Sequence, residues 1–336
     1  VPPTSAVPYK LPAIPYLRLR HTLRATAPAL LPPYKGSLLR GAFGHALRRT
    51  VCTMGPTQAC ESCRLRQACV YTRIFETFIE GHSPPLMAGL PTAPRPYVFE
   101  PQGEEQRYAP GDPLEFDLLL FGQAIDLNAY AQLAVERMAA TGLGKDRHPF
   151  ALDRIQALLP DGTWRIVLAG GAVADSTALP PSLPDLDGPG DRQATNAILR
   201  FLTPTRLKAQ SQSPIGISFR GLAFAMIRRT LEIAHFHVPG AAIDWTFRPL
   251  LDLASAIRIA STDLVWRDWD RYSNRQGTKM TFGGFVGTLH LEGDLAGFVP
   301  LLRTAEILHL GKGATFGQGR IQIEASGPVA LRVRVP

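Results

Sequence analysis

The feature that most constrains this chain is the decapeptide Gly311-Lys312-Gly313-Ala314-Thr315-Phe316-Gly317-Gln318-Gly319-Arg320, which combines four glycines with two basic residues. Before it, Leu295, Phe298, Val299, Leu301, Leu302, Ala305 and Leu308 recur at helical spacing, with Asp294 placed to cap the start. After it, Ile321-Gln322-Ile323 alternates as a strand does. The loop therefore joins a helix to a strand. That order excludes a dinucleotide fingerprint, which needs strand, loop and then helix. No Gly-Lys-Ser/Thr opens a helix here, so a nucleotide P-loop is excluded as well. Two readings stay open. In one, glycines at positive φ bring backbone N–H groups close to a ligand, and Lys312 and Arg320 favour an anion. In the other, Gly311 ends the helix and the remaining glycines make a wide turn.

Charge sharpens the first reading. Lys plus Arg number 36 against 28 Asp plus Glu, a net +8, with a pI near 9.6. Such an excess favours a polyanion such as nucleic acid. The length of 336 residues suits two domains. No apolar run is long enough to span a membrane, and Val1 to Pro15 lacks a signal-peptide core. The expected location is cytoplasmic, with no membrane partner.

Along the chain, Tyr16 to Arg24 alternates apolar and basic residues, a strand with one buried and one basic face. The basic face either contacts nucleic acid or is simply solvated. From Ser37 to Arg49, Leu38, Leu39, Ala42, Phe43, Ala46 and Leu47 form a helical stripe. His45 falls at its edge, and Arg48 and Arg49 lie on the polar side. All four cysteines follow, Cys52, Cys60, Cys63 and Cys69, spaced C-x7-C-x2-C-x5-C. Clustered thiols in a reducing compartment point to structural zinc, with an iron–sulfur cluster or unligated thiols as alternatives.

Residues 70–113 read as loop-rich. Leu114–Phe121 reads as a central strand, and a helix follows over residues 127–140. A hairpin turns at Asp161-Gly162. This order resembles the ferredoxin-like fold. Asp175 to Asp191, rich in proline and acid, reads as a linker. The second half repeats the theme: a strand near Ala197, a helix from Phe219 to His235-Phe236-His237, a strand over residues 282–292, then the helix, glycine loop and strand. Between them, Trp266, Trp269 and Tyr272 alternate with Arg267, Arg271, Arg275 and Lys279. Such interleaving stacks bases and pairs phosphates, unless the tryptophans belong to the core.

The segment Tyr34-Lys35-Gly36-Ser37-Leu38-Leu39-Arg40-Gly41-Ala42-Phe43-Gly44-His45-Ala46-Leu47 resembles the first helix of CRISPR precursor-RNA-processing endoribonucleases of the RAMP superfamily. The cysteine cluster is similar to one found in a branch of that family. Arg271 to Gln276, Gly283 to Gly287 and Gly311 to Gly319 resemble its C-terminal half. The resemblance implies an α+β chain of two tandem ferredoxin-like (RRM-like) domains, at residues 14–174 and 194–330, with the glycine-rich loop in the second. It implies CRISPR repeat RNA as partner, alongside other CRISPR effector subunits. It also implies cleavage without a metal, by attack of the ribose 2′-hydroxyl to leave a 2′,3′-cyclic phosphate. The matching catalytic positions are His45, Tyr34 and Lys35 or Arg48. RNA contacts are expected from Arg49, Arg271, Arg275, Lys279, Gly311, Lys312, Gly313, Gly317, Gly319 and Arg320. The alternative is a non-catalytic RAMP scaffold that holds guide RNA in an effector complex.

Overall fold

The computed structural model describes residues 9–55, 57–81, 84–87, 90, 92–175, 179–184, 193–207, 217–273 and 278–326. Most of the linker from Asp175 to Asp191, and Arg275, lie outside these residues. The first half runs β1 (Tyr16–Ala25), β2 (Ala29–Leu30), α1 (Gly36–Val51), β3 (Tyr97–Pro101), β4 (Arg107–Tyr108), β5 (Pro113–Phe121), α2 (Asn128–Thr141), β6 (Phe150–Leu158), β7 (Trp164–Ala169) and β8 (Ala172–Val173). Its main sheet is antiparallel, ordered β3-β5-β1-β6-β7-β8. The second half runs β9 (Asn196–Thr205), α3 (Phe219–His237), α4 (Arg248–Ala254), β10 (Arg258–Ser273), β11 (Thr278–Glu292), α5 (Val299–Leu308) and β12 (Ile321–Ser326). Its sheet is ordered β10-β11-β9-β12. Both halves share one connectivity. The first strand lies in the middle, the second and third form its neighbouring pair, and the fourth closes the other side. That is the ferredoxin-like arrangement, present twice. Among the described residues no helix is long and apolar enough to cross a membrane.

The alternation of β1 settles its two faces. Leu17, Leu19, His21 and Leu23 are fully buried under α1 and α2. Each such leucine is worth ~1.5–3 kcal/mol of burial. The helices meet this face with Leu39, Phe43, Ala46 and Leu47 of α1 and Ala131, Ala134, Val135 and Met138 of α2. The second half has its own core, in which Leu199, Phe201, Leu222, Met226, Phe285, Leu302 and Ile321 pack together. A third cluster forms the seam. Ile14, Tyr16, Val98, Leu119 and Phe121, on the far face of the first sheet, pack against Ile233, Ala234 and Leu308 of α3 and α5.

Several local expectations are revised. The loop-rich stretch contains β3, whose first four residues are all buried. Asp294 does not cap the last helix: a short 3-10 turn over Ala296–Phe298 leads into α5, and neither element has a side-chain cap. Gly311 does not end that helix either. His309 does, at a φ of 60°, and Arg229 of α3 donates to the Leu308 carbonyl at 3.2 Å. The hairpin at Asp161-Gly162 forms as expected, with the Asp161 carboxylate accepting from the backbone and hydroxyl of Thr163.

Two buried histidines give the fold a pH dependence. The His21 ring stacks on Phe116 at 5.1 Å, and its Nδ1 lies 3.1 Å from the Leu19 carbonyl. His237 Nε2 lies 2.6 Å from the Pro94 carbonyl. Burial holds both rings down to about 4, from 6.5. Between those values the unfolded chain binds the protons that the folded chain refuses, so stability rises with pH across this window. Urea unfolding should therefore show a loss on the order of 2 kcal/mol per ring between pH 7 and pH 5. A His21→Phe variant should lose about half of that slope. A pH-independent midpoint would contradict the burial argument.

Candidate functional site

The three arginines of β1 are not free. Arg18 Nη2 donates to Glu100 at 2.9 Å, Arg20 forms a two-pronged pair with Asp117 at 2.8 and 3.1 Å, and Arg24 pairs with Asp153 at 3.0 Å. Arg20 also lies over the Trp164 ring at 4.5 Å. The basic face expected of β1 is thus neutralised by acids on other strands of its sheet.

Glu100 is the centre of this arrangement. Its side chain is 1% exposed and meets Arg18, His309 Nε2 at 2.9 Å and Arg320 Nη2 at 3.5 Å. His309 Nδ1 faces the Gln318 carbonyl at 3.0 Å, so acceptors lie at both ring nitrogens. Burial alone would raise the Glu100 carboxyl. The His309 hydrogen bond and the charges of His309, Arg18 and Arg320 outweigh it and hold the group at about 2, below its usual 4.5. A strand of the first half is thereby tied to the glycine loop of the second.

The loop itself is pinned at several points. Gly311, Gly313, Gly317 and Gly319 all have φ between 71° and 83°. A Cβ on Gly317 would stand 2.3 Å from the Phe99 carbonyl oxygen, and one on Gly319 would stand 1.8 Å from that of Leu310. These glycines are required by the chain's own packing. The loop amides are also used. Those of Lys312 and Gly319 donate to Arg206 and Pro204, those of Phe316 and Gly317 donate within the loop, and that of Arg320 donates to Thr203 Oγ1. These amides serve the chain's own packing, which favours the wide-turn reading for them. Arg320 is likewise engaged with Glu100, whereas Lys312 is exposed.

The loop lies against the start of α1. Tyr34 donates its hydroxyl to the Phe316 carbonyl, and a Cβ on Gly36 would stand 1.7 Å from that oxygen. Desolvation raises the Tyr34 hydroxyl well above the ordinary tyrosine value. Arg40, one turn into α1, lies over the Phe75 ring at 4.5 Å and the Phe316 ring at 5.0 Å, a cation between two aromatic faces.

The expected catalytic residues therefore separate. Tyr34 is committed to the loop. Lys35 is fully buried, its Nζ directed to the carbonyls of Pro33 and Gly103 at 3.3 and 3.4 Å, and desolvation lowers its pKa. Arg48 donates to the Gln58 carbonyl at 2.6 Å and lies over the Tyr71 ring at 5.9 Å, so it faces the cysteine segment. His45 and Arg49 are exposed, and they share one face of α1 because they are four residues apart. His45 lies nine residues past the loop contact at Gly36, about 13 Å along the axis.

The four cysteines are free thiols, each half-buried. Cys52 Sγ donates to the Gly55 carbonyl at 3.7 Å, and burial raises the Cys60 thiol. Cys60 is near enough to Cys52, Cys69 and Arg48 to interact electrostatically with each. Even so, no group of three His, Cys, Asp or Glu among the described residues is arranged to hold a metal ion. The thiols of Cys52, Cys60, Cys63 and Cys69 are therefore not drawn together into a zinc or iron–sulfur site in this geometry, and a guanidinium stands beside two of them. Of the aromatic and basic segment, Trp266 packs partly on the second core and donates its indole N–H to Asp268 at 2.8 Å. Arg271 and Lys279 fall on paired strands, opposite Met280 and Tyr272.

The comparisons with known proteins join these observations. Residues 13–179 match the family model AF_1859_N, described as an N-terminal domain. Residues 199–321 match the model of the CRISPR-associated endoribonuclease Cas6. The second half of the chain is similar to Cas6-type RNA-processing proteins. No curated protein matches it. Among solved structures, a Cas6 product complex is 17% identical with a TM-score of 0.50, over 94% of this chain and all of the other. A partial Cas6-RT-Cas1–Cas2 complex is 13% identical with a TM-score of 0.57, over 94% of this chain and 47% of that one. At these identities both support the doubled ferredoxin-like fold of this chain.

The Glu100 pairing should be visible in stability. Because its folded value is depressed, the stabilisation is present above 4.5 and is lost as pH falls toward 2. Glu100→Gln should cost about 3 kcal/mol at pH 7 and remove that acid-sensitive window. Chemical denaturation at pH 7 checks it; a cost under about 1 kcal/mol would mean that the pairing only balances its own desolvation.

Proposed function

We propose that this chain is an endoribonuclease that cuts CRISPR repeat RNA at the open face of α1. The observation that carries the reading is the separation described above: of the residues expected to act, His45 stands exposed with Arg49 one turn on, while Tyr34, Lys35 and Arg48 serve the chain's own packing. In-line cleavage needs a proton removed from the 2′-hydroxyl and another delivered to the 5′-oxygen leaving group. His45 carries one of these transfers and solvent carries the other. The 2′-oxygen attacks the adjacent phosphorus, the P–O5′ bond breaks, and the products are a 2′,3′-cyclic phosphate and a 5′-hydroxyl. Arg49 stabilises the negative charge that accumulates on the phosphorane. The nucleophile is the RNA's own hydroxyl, so no metal-bound water is required.

Tyr34 acts at one remove, by fixing the glycine loop against the start of α1. Lys312, exposed on that loop, supplies a phosphate contact, and Arg271 and Lys279 on the β10–β11 pair, together with Arg275, supply others. Structural zinc on the cysteines is not part of this reading. The solved Cas6-RT-Cas1–Cas2 complex shows a relative working within a larger CRISPR assembly, and partner subunits of that kind suit this chain as well.

His45→Ala should slow single-turnover cleavage of repeat RNA by roughly 10²- to 10⁴-fold with affinity little changed. EDTA should leave the wild-type rate unaltered. If the wild type binds repeat RNA tightly and never cuts it, the chain is a non-catalytic RAMP scaffold. If His45→Ala cuts at the wild-type rate, proton transfer lies elsewhere.

A further inference from the structure

Helix α1 contains three glycines, Gly36, Gly41 and Gly44, and the fold explains two of them. A Cβ on Gly36 would strike the Phe316 carbonyl at 1.7 Å, and one on Gly44 would strike the Phe75 ring at 2.2 Å. Gly41 differs. A Cβ there meets nothing within 4 Å, and its φ is that of an ordinary helical residue. Glycine in a helix interior is disfavoured relative to alanine because it gives up more backbone freedom and packs nothing. No contact within the described chain calls for it.

Its position supplies a reason. Gly41 is four residues before His45 and eight before Arg49, on the same face of α1. The neighbouring Arg40 is drawn aside between Phe75 and Phe316, so the longest side chain of that turn has partners elsewhere. Bare helix backbone therefore lies open one turn from the exposed histidine. We propose that Gly41 is a positioning residue: its missing side chain lets the ribose-phosphate backbone of the RNA lie against α1, which brings the scissile phosphate within reach of His45. This rests on the proposed function above and deepens it. A nucleic-acid backbone can approach a glycine more closely than any other residue, and a misplacement of about 1 Å can cost a catalytic site about 10²-fold.

The experiment compares wild type with Gly41→Ala and Gly41→Leu in three measurements: thermal unfolding, affinity for repeat RNA and single-turnover cleavage. A Cβ has room at this site and both residues are better helix formers than glycine, so both variants should melt at or above the wild-type temperature. Cleavage should fall at least tenfold for alanine and further for leucine. Affinity should fall at least tenfold for leucine. That combination, a firmer fold with a poorer reaction, is not produced by a merely structural role. Wild-type affinity and cleavage in Gly41→Leu would overturn the proposal. If the wild type itself does not cut, the nuclease reading fails separately; a tenfold affinity loss in Gly41→Leu would then still support close approach at this turn, and unchanged affinity would overturn it.

Discussion

Much of this structure depends on one buried carboxylate. Glu100 sits on a short strand of the first half and gathers Arg18 from its own sheet with His309 and Arg320 from the second half. An ionised carboxylate out of water is costly unless surrounding charges and donors compensate. Here they do, and the compensating groups come from both halves of the chain. His309 is separated from Glu100 by 209 positions. The contact therefore fixes more than a side chain: it sets where the segment after α5 crosses the first domain.

From that crossing the rest of the region follows. The glycine loop lies against β3 and the start of α1, and its glycines are required where their Cβ atoms would strike a carbonyl. Its amides are largely spent on the protein itself. The loop thus works as a clasp, with Tyr34 and the Arg40 sandwich as its fastenings on α1. A rigid helix with one face held by the core and the clasp leaves the opposite face open. That is a suitable platform for a reaction that depends on placing a phosphate and a 2′-hydroxyl in line, since a positioned group is worth far more than a mobile one.

The doubled fold was legible because its signals are periodic. The alternation of β1, the stripe of α1 and the turn at Asp161-Gly162 each carry their own structure. The resemblance of the Tyr34 to Leu47 segment is also what brings His45 forward as the proposed catalytic residue. What stayed hidden is mostly two-sided burial. Tyr97, Val98, Phe99 and Glu100 are all buried, so β3 shows no alternation, and Pro94 and Pro96 beside it read as loop. A carboxylate in such a run looks no different from a solvated one. The arginines of β1 were read as a free basic face because the acids that pair with them lie 82 to 129 positions away. His309 at the end of α5 adopts a backbone conformation usually left to glycine, which sequence alone assigns to Gly311. The cysteine spacing suggested a metal, yet spacing along the chain does not fix whether three thiols converge.

The proposed reaction depends on the RNA's own hydroxyl as nucleophile, activated on the open face of α1. The most direct test is single-turnover cleavage of a repeat RNA carrying one 2′-deoxy nucleotide immediately 5′ of the cut phosphate, beside the unmodified RNA. The expected result is normal binding with no product from the modified strand, and a 2′,3′-cyclic phosphate end from the unmodified one. Cleavage of the deoxy strand at the same phosphate would contradict the account, because the attacking oxygen would then have to come from water.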